Sequence, residues 1–325
     1  MQAQSAAERV HISTSVAMSR PSLAASLKRD MKAAMRALKQ CQQAEAFVKQ
    51  RIQHHDSSHD WWHIHRVRNM ALKLAAAENL SAEERHLAEL AALVHDVADH
   101  KYSGRAWRQA PWQNIAALSA PVLICRCRLS VCRINFSIPL LSSTSPLEDR
   151  RQLAIFLADQ LGLTQQEQEV VLYVTDNVGF KEGLPSICAA NEKDSNAPGS
   201  NALNNSGAAG SDGAEAALQQ RVLAVVQDSD RLDAIGAIGI ARCLTFGGSF
   251  NRVLHDPAIL PRTHLTQQQY TDKAAQQTTL NHFHEKLFKL KDLMRTAAGR
   301  AVAESRHKYM QEFVERFHAE WEAAQ

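Results

Sequence analysis

A histidine and an aspartate stand side by side as His95-Asp96, closing the apolar run that begins at Leu87. An imidazole and a carboxylate at a core-facing helix end are costly to bury unless something binds them. A divalent metal ion would do so, and it would turn bound water into a nucleophile near neutral pH. Two more residues of fitting type lie on apolar helix faces. His63 shares its face with Val67 and Met70, four and seven residues on, whereas His65 falls on nearly the opposite face and is expected to be exposed. Asp230 follows Val226 by four residues and Val222 by eight. His63, His95, Asp96 and Asp230 together make a mixed N/O set on three helices. Such a set suits Mn²⁺, Fe²⁺, Zn²⁺ or Mg²⁺ and leaves positions open for water and substrate. Taken singly, an inward histidine is more often a hydrogen-bonded core residue. An inward aspartate beside an arginine is more often an ion pair or a cap. The joint occurrence in this order carries the weight. Asp228 is the alternative to Asp230, but it lies off the apolar face.

The elements that must position these residues read as helices. Met31, Met35, Leu38, Cys41, Val48 and Ile52 recur at helical spacing. A second helix begins near Trp61-Trp62. A third opens with the capping-box pattern Ser81-Ala-Glu-Glu84 and runs to His95. A fourth has Pro146 at its first position and stops at Gly162. A fifth opens at Thr164-Gln-Gln-Glu167 and ends near Asn177, and a sixth covers about 216–234. The stretches 280–294 and 297–322 are long and amphipathic, and their apolar faces could serve a homodimer. The fold expected is all-α, a helical bundle spanning 30–325. Residues 1–29, with four basic residues against Glu8 alone, read as a disordered or weakly targeting segment. Residues 189–215 are Asn, Ala, Ser, Gly and Asp-rich and read as a disordered linker. Residues 118–141 are apolar, β-branched and Cys/Arg-rich, and no Asp or Glu occurs between Asp99 and Glu148. That segment reads as an irregular insertion foreign to the rest of the chain.

Composition excludes several classes. Among 325 residues, 45% are hydrophobic and 22% charged, as in an ordinary globular protein. A net charge of +3 without a basic stripe speaks against a nucleic-acid partner. No apolar run reaches the length of a membrane span, so no membrane partner is expected. Six cysteines show no paired framework, and Cys125, Cys127 and Cys132 lack a zinc spacing. Free thiols in a reducing compartment such as the cytoplasm are expected, with an organelle as the alternative.

The signature lines Ser58-His-Asp-Trp-Trp-His63, His95-Asp-Val-Ala-Asp-His-Lys-Tyr102 and Val226-Gln-Asp-Ser-Asp-Arg-Leu-Asp-Ala-Ile-Gly236 resemble the HD-domain metal-dependent phosphohydrolases. The likeness is greatest to small standalone HD proteins of bacteria and plants, and it covers most of 55–320. The resemblance implies an HD-domain helical bundle with His63, His95, Asp96 and Asp230 as metal ligands. It also implies hydrolysis of a phosphate ester or anhydride in a small-molecule nucleotide, in this subgroup a nucleoside triphosphate releasing pyrophosphate. A monophosphatase or cyclic-nucleotide phosphodiesterase is the alternative among enzymes. A non-catalytic nucleotide-binding regulatory module is the alternative outside them. Asp99, four residues after His95, is the expected water-activating acid, or else a partner of Arg66 or Lys101. Arg66 and Lys101 are the expected phosphate contacts. Relatives with two metals carry extra histidines on the next helix. Here that helix reads Leu172-Tyr-Val-Thr-Asp-Asn-Val-Gly-Phe180, so one divalent ion is expected, Mn²⁺ first, with Mg²⁺, Fe²⁺, Co²⁺, Ni²⁺ or Zn²⁺ as alternatives.

Overall fold

A computed structural model describes residues 20–52, 59–97, 146–179, 211–263 and 277–324, and among them the regular structure is helical throughout. In chain order the α-helices are α1 (Arg20–Arg51), α2 (Trp61–Ala77), α3 (Ala82–Val94), α4 (Pro146–Ile155), α5 (Gln165–Asn177), α6 (Ser211–Asp233), α7 (Gly236–Ser249), α8 (Asn281–Glu285) and α9 (Ala297–Trp321). A π-helical turn at Phe156–Gln160 extends α4, and a 3₁₀ turn at Leu287–Leu293 follows α8.

Local chemistry explains where the elements start and stop. Ser81 and Glu84 form a reciprocal capping box at the head of α3, and Thr164 and Glu167 form one at α5. Each satisfies two backbone donors that a helix N-terminus leaves free. Gly162 ends the α4 extension with φ of +60°, a conformation glycine adopts without strain. Asp60 caps α2 by accepting from the His63 backbone N–H at 3.1 Å, which fixes the turn that carries the His63 side chain.

The core forms where α2, α3 and α6 pack together, with α1 and α5 laid against α3 and α9 closing over α6 and α7. Leu74, Leu87, Leu90, Leu93, Val170, Val174, Val222 and Val226 are all buried within it. Helix α6 is buried on nearly every side from Val222 to Asp233, with Asp230 the half-buried exception, which is why Asp228 and Asp233 end up inside the protein.

Three boundaries differ from those the sequence suggests. Helix α1 starts at Arg20, so residues 20–29 are helical, and α6 starts at Ser211, five residues inside the stretch read as linker. The segment 280–294 is not one helix: Lys286, at φ −136°, breaks it into α8 and the 3₁₀ turn. The apolar face of α1 is also only half used. Cys41, Val48 and Ile52 are buried, but Met31, Met35 and Leu38 are exposed. The reason is length: α1 has 32 residues, about 48 Å of helix, and α3, on which it rests, has 13, about 20 Å. Residues 118–141 and 189–210 lie outside the described residues, as do Asp99 and Lys101.

Candidate metal centre

His63 comes from the first turn of α2, His95 and Asp96 from the C-terminal end of α3, and Asp230 from the last turn of α6. The three helices bring these four side chains to one point. His63 Nε2 lies 3.3 Å from Asp96 Oδ2 and 3.5 Å from Asp230 Oδ1. His95 Nε2 lies 3.5 Å from Asp96 Oδ1 and 3.9 Å from Asp230 Oδ1. The imidazole centroids are 5.3 Å apart. Both histidines are essentially buried, whereas the Asp230 side chain is 31% exposed and forms the open side.

The far side of each ring fixes what the near side can be. His95 Nδ1 sits 2.9 Å from the Ala92 carbonyl oxygen, which can only accept, so that nitrogen carries the proton. His63 Nδ1 donates to Asp233 Oδ2 at 2.7 Å. In the neutral rings, both Nε2 atoms therefore present lone pairs. Each lone pair faces carboxylate oxygens. His63 Nε2, His95 Nε2 and Asp96 Oδ2 are buried and have no well-formed hydrogen bond among the described residues. Lone pairs pointed at one another repel, and their burial away from water is unfavourable without a positive species between them. A cation fits this demand. Two atoms about 2.1 Å from one ion and at angles between octahedral and tetrahedral stand about 3.0–3.4 Å apart, close to the separations seen.

Electrostatics point the same way. Burial favours the neutral acid at Asp96, but the positive charge that the His95 and His63 rings carry when protonated outweighs it and holds the carboxyl well below the usual range. At His63, burial and Arg242 push the pKa down, while Asp233 and Asp96 push it up and prevail. The centre thus recruits positive charge.

Asp233 and Arg242 belong to this site although no role was assigned to them from sequence. Besides His63, the Asp233 carboxylate accepts from Arg66 Nε at 2.7 Å and Nη2 at 3.0 Å, and it pairs with Arg242 Nη1 at 3.0 Å. Burial opposes its ionisation, yet the His63 hydrogen bond and the two guanidiniums hold it well below the ordinary range. The three-residue step from Asp230 to Asp233 on one helix was the signal available in the sequence. His59, at 5.6 Å centroid distance from His63, is a further neighbour. Arg66, expected to face phosphate, is tethered by Asp233, with its side chain 34% exposed. Asp228 is fully buried and faces α9 instead of the centre, accepting from the Arg295 and Thr296 backbone N–H groups and the Thr296 hydroxyl.

With this geometry, similarity to known proteins gains meaning. The chain is 27% identical over 284 residues to YpgQ of Bacillus subtilis, described as uncharacterized, covering 86% of this chain and 93% of that one. A Lactobacillus plantarum protein of known crystal structure superposes with a TM-score of 0.56 at 29% identity, over 88% of this chain and 98% of its own. An HD-superfamily hydrolase from Bacillus thuringiensis superposes with a TM-score of 0.52 at 28% identity, over 88% of this chain and 99% of its own. The chain thus shares its fold with an HD-superfamily hydrolase, in line with the resemblance that its sequence carries. No protein-family profile matches the chain. The likeness to that hydrolase and the convergence of His63, His95 and Asp230 donor atoms both support a divalent metal. Among the described residues, no helix is long and apolar enough to cross a membrane.

Proposed function

We propose that this chain is an HD-domain metal-dependent phosphohydrolase that uses metal-activated water on a nucleotide ester or anhydride. His63, His95, Asp96 and Asp230 are the ligands in this reading. The observation that carries it is the pair of buried Nε2 lone pairs facing two carboxylates with no proton donor between them. The Bacillus thuringiensis hydrolase, similar over nearly its whole length, supports the reaction class. A divalent ion bound there supplies a lowered water pKa and a polarised phosphoryl oxygen.

The protein's own groups do the rest. Asp233 fixes the His63 ring and tautomer, so its Nε2 faces the centre without reorganisation. Arg66 and Arg242 keep Asp233 ionised and in place. The part-exposed Asp230 marks the side from which substrate and water enter. Arg66 is one-third exposed beside Asp233, and its guanidinium suits a phosphate oxyanion. On their sequence positions, Asp99 is assigned to orient or deprotonate the attacking water and Lys101 to contact phosphate. The single-ion reading, with Mn²⁺ tested first, follows from α5, which carries no histidine.

The test is a screen of nucleoside mono-, di- and triphosphates and cyclic nucleotides with Mn²⁺, Mg²⁺, Fe²⁺, Co²⁺, Ni²⁺ or Zn²⁺, reading phosphate and pyrophosphate separately. Metal-dependent release that His95→Ala abolishes is expected, with pyrophosphate as the product if triphosphates are the substrate. Nucleotide binding without turnover by the wild type would instead make the protein a regulatory module. Full turnover by His95→Ala would remove that ligand from the assignment.

A further inference from the structure

A second cluster of metal-binding side chains lies between α1 and α3, away from the HD centre. Cys41 on α1 and His86 and Glu89 on α3 each offer one donor atom, and the three atoms lie within 4.8 Å of one another. His86 and Glu89 are three residues apart and so share a helix face. Cys41 is buried and the other two are half-buried.

The hydrogen bonds around the cluster set the state of the imidazole. Gln40 donates its amide nitrogen to the Leu161 carbonyl at 2.8 Å, so its carbonyl oxygen is the atom turned to His86 Nε2, also at 2.8 Å. His86 Nε2 therefore carries the proton, and Nδ1 presents a lone pair to Cys41 Sγ at 3.8 Å. Burial keeps this imidazole neutral by lowering its pKa. For a tetrahedral zinc ion, sulfur and nitrogen donors at their usual bond lengths stand about 3.6 Å apart. The cluster is already near that spacing.

We propose that Cys41, His86 and Glu89 form a second metal site, selective for a thiophilic ion such as Zn²⁺, with water completing the coordination. Binding releases the Cys41 proton to solvent, one per ion. Selectivity follows from the thiol. A soft sulfur donor beside one imidazole and one carboxylate favours a thiophilic ion over a hard one. Hard Mg²⁺ or Mn²⁺ remains with the nitrogen and oxygen donors of the HD centre. The opposing charge is Arg68, which donates to Glu89 through Nε and Nη2. The same guanidinium reaches Glu45 at 3.4 Å, which also pairs with Lys49. Arg68 can rest on Glu45 when Glu89 turns to the ion. Arg36 and Glu167 nearby already form their own pair at 3.2 Å. An ion here would tie α1 to α3.

The experiment uses the full chain stripped by chelator and titrated with Co²⁺. Among the described residues the HD centre has no sulfur donor, so thiolate-to-cobalt charge-transfer absorption in the near-ultraviolet reports a cysteine ligand, and the loss of the band in Cys41→Ser assigns it to this site. Expected is a band saturating at one ion per chain, absent in Cys41→Ser, weakened at least about tenfold in affinity in His86→Gln, and intact in His63→Ala. No band in the wild type, or the same band in Cys41→Ser, would overturn the site. If Cys41→Ser does not fold, His86→Gln decides: an unchanged titration there rejects the proposal. Zinc dialysis read by elemental analysis should show one ion fewer in Cys41→Ser than in the wild type.

Discussion

Two regions of α6 put aspartates to opposite uses, only two residues apart. At Asp230 the carboxylate stands before two imidazole lone pairs with no donor, and its side chain is open to solvent. At Asp228 the carboxylate is sealed from water and receives two backbone N–H groups and a hydroxyl from the head of α9. Both are carboxylates on one helix with histidine or arginine nearby. What separates them is saturation. Asp228 has its hydrogen-bonding capacity filled, caps a helix N-terminus and stabilises the fold. Asp230 and its neighbours leave capacity unfilled, and unfilled buried capacity is what a ligand takes up. A saturated buried acid is structural, and an unsaturated cluster is a site.

The sharpest way to break this contrast is to exchange the two effects. Asp230→Ala should lower metal-dependent turnover by more than about a hundredfold while leaving the melting temperature of the metal-free protein within a few degrees of wild type. Asp228→Ala should do the reverse. It orphans the Arg295 and Thr296 backbone donors and should cost about 2–4 kcal/mol of stability, with metal bound per folded molecule unchanged. Urea unfolding and metal stoichiometry on both variants check this. An Asp228→Ala protein of normal stability that has lost its metal would invert the assignment.

A gentler probe of the same knot is Gly299. A Cβ there would sit 2.5 Å from Asp228 Oδ2 and 2.6 Å from Thr296 Oγ1. Gly299→Ala must therefore push the carboxylate out of its cradle, and a loss of about 1–3 kcal/mol is expected. On the other side of the comparison, Asp233→Asn keeps the shape but removes the charge that orients His63. Metal affinity per folded molecule should fall by about 10–100-fold, measured by competition with a chelating dye, and stability falls as well because Arg66 and Arg242 lose their counter-charge.

Much of this architecture was legible because it rests on local rules. Ser81 with Glu84 and Thr164 with Glu167 announce helix starts, and the structure has both capping boxes. His63 could be placed inward because Val67 follows it at helical spacing, and it is buried. What could not be read depends on partners distant in the chain. Asp233 acquires its role from His63, 170 residues earlier, and from Arg242 on the next helix. Asp228 seemed to lie off the apolar face because sequence periodicity assumes one buried stripe, whereas α6 is covered by α9 as well. The exposed Met31, Met35 and Leu38 show the converse: periodicity marks a face, but only the length of the neighbouring helix decides how much of it is covered. The pairing of Cys41 with His86 has no sequence signature at all.

At neutral pH the smallest effect expected comes from a polar group that is neither saturated by charge nor part of a site. Cys243 on α7 is buried, with its sulfur 3.6 Å from the Thr279 carbonyl oxygen, to which the thiol donates weakly. Burial pushes its pKa from 9.0 up to about 12, against weaker opposition from Arg252 and Lys286. The unfolded chain releases this proton near pH 9 while the folded protein keeps it. The thiol therefore costs nothing below pH 9, and as pH rises from 9 towards 12 it lowers stability by up to about 1.4 kcal/mol per pH unit. Cys41 behaves in the same way, so both thiols contribute to the alkaline slope of the metal-free protein. Cys243→Ala removes one of them. Subtracting its unfolding free energies from those of the wild type between pH 8 and 11 cancels the lysine and tyrosine titrations common to both. The difference should be flat to pH 9 and then grow with pH in favour of the variant. A difference that stays flat to pH 11 would mean that water reaches the Cys243 sulfur and that α7 packs less tightly against the segment around Thr279 than the structure shows.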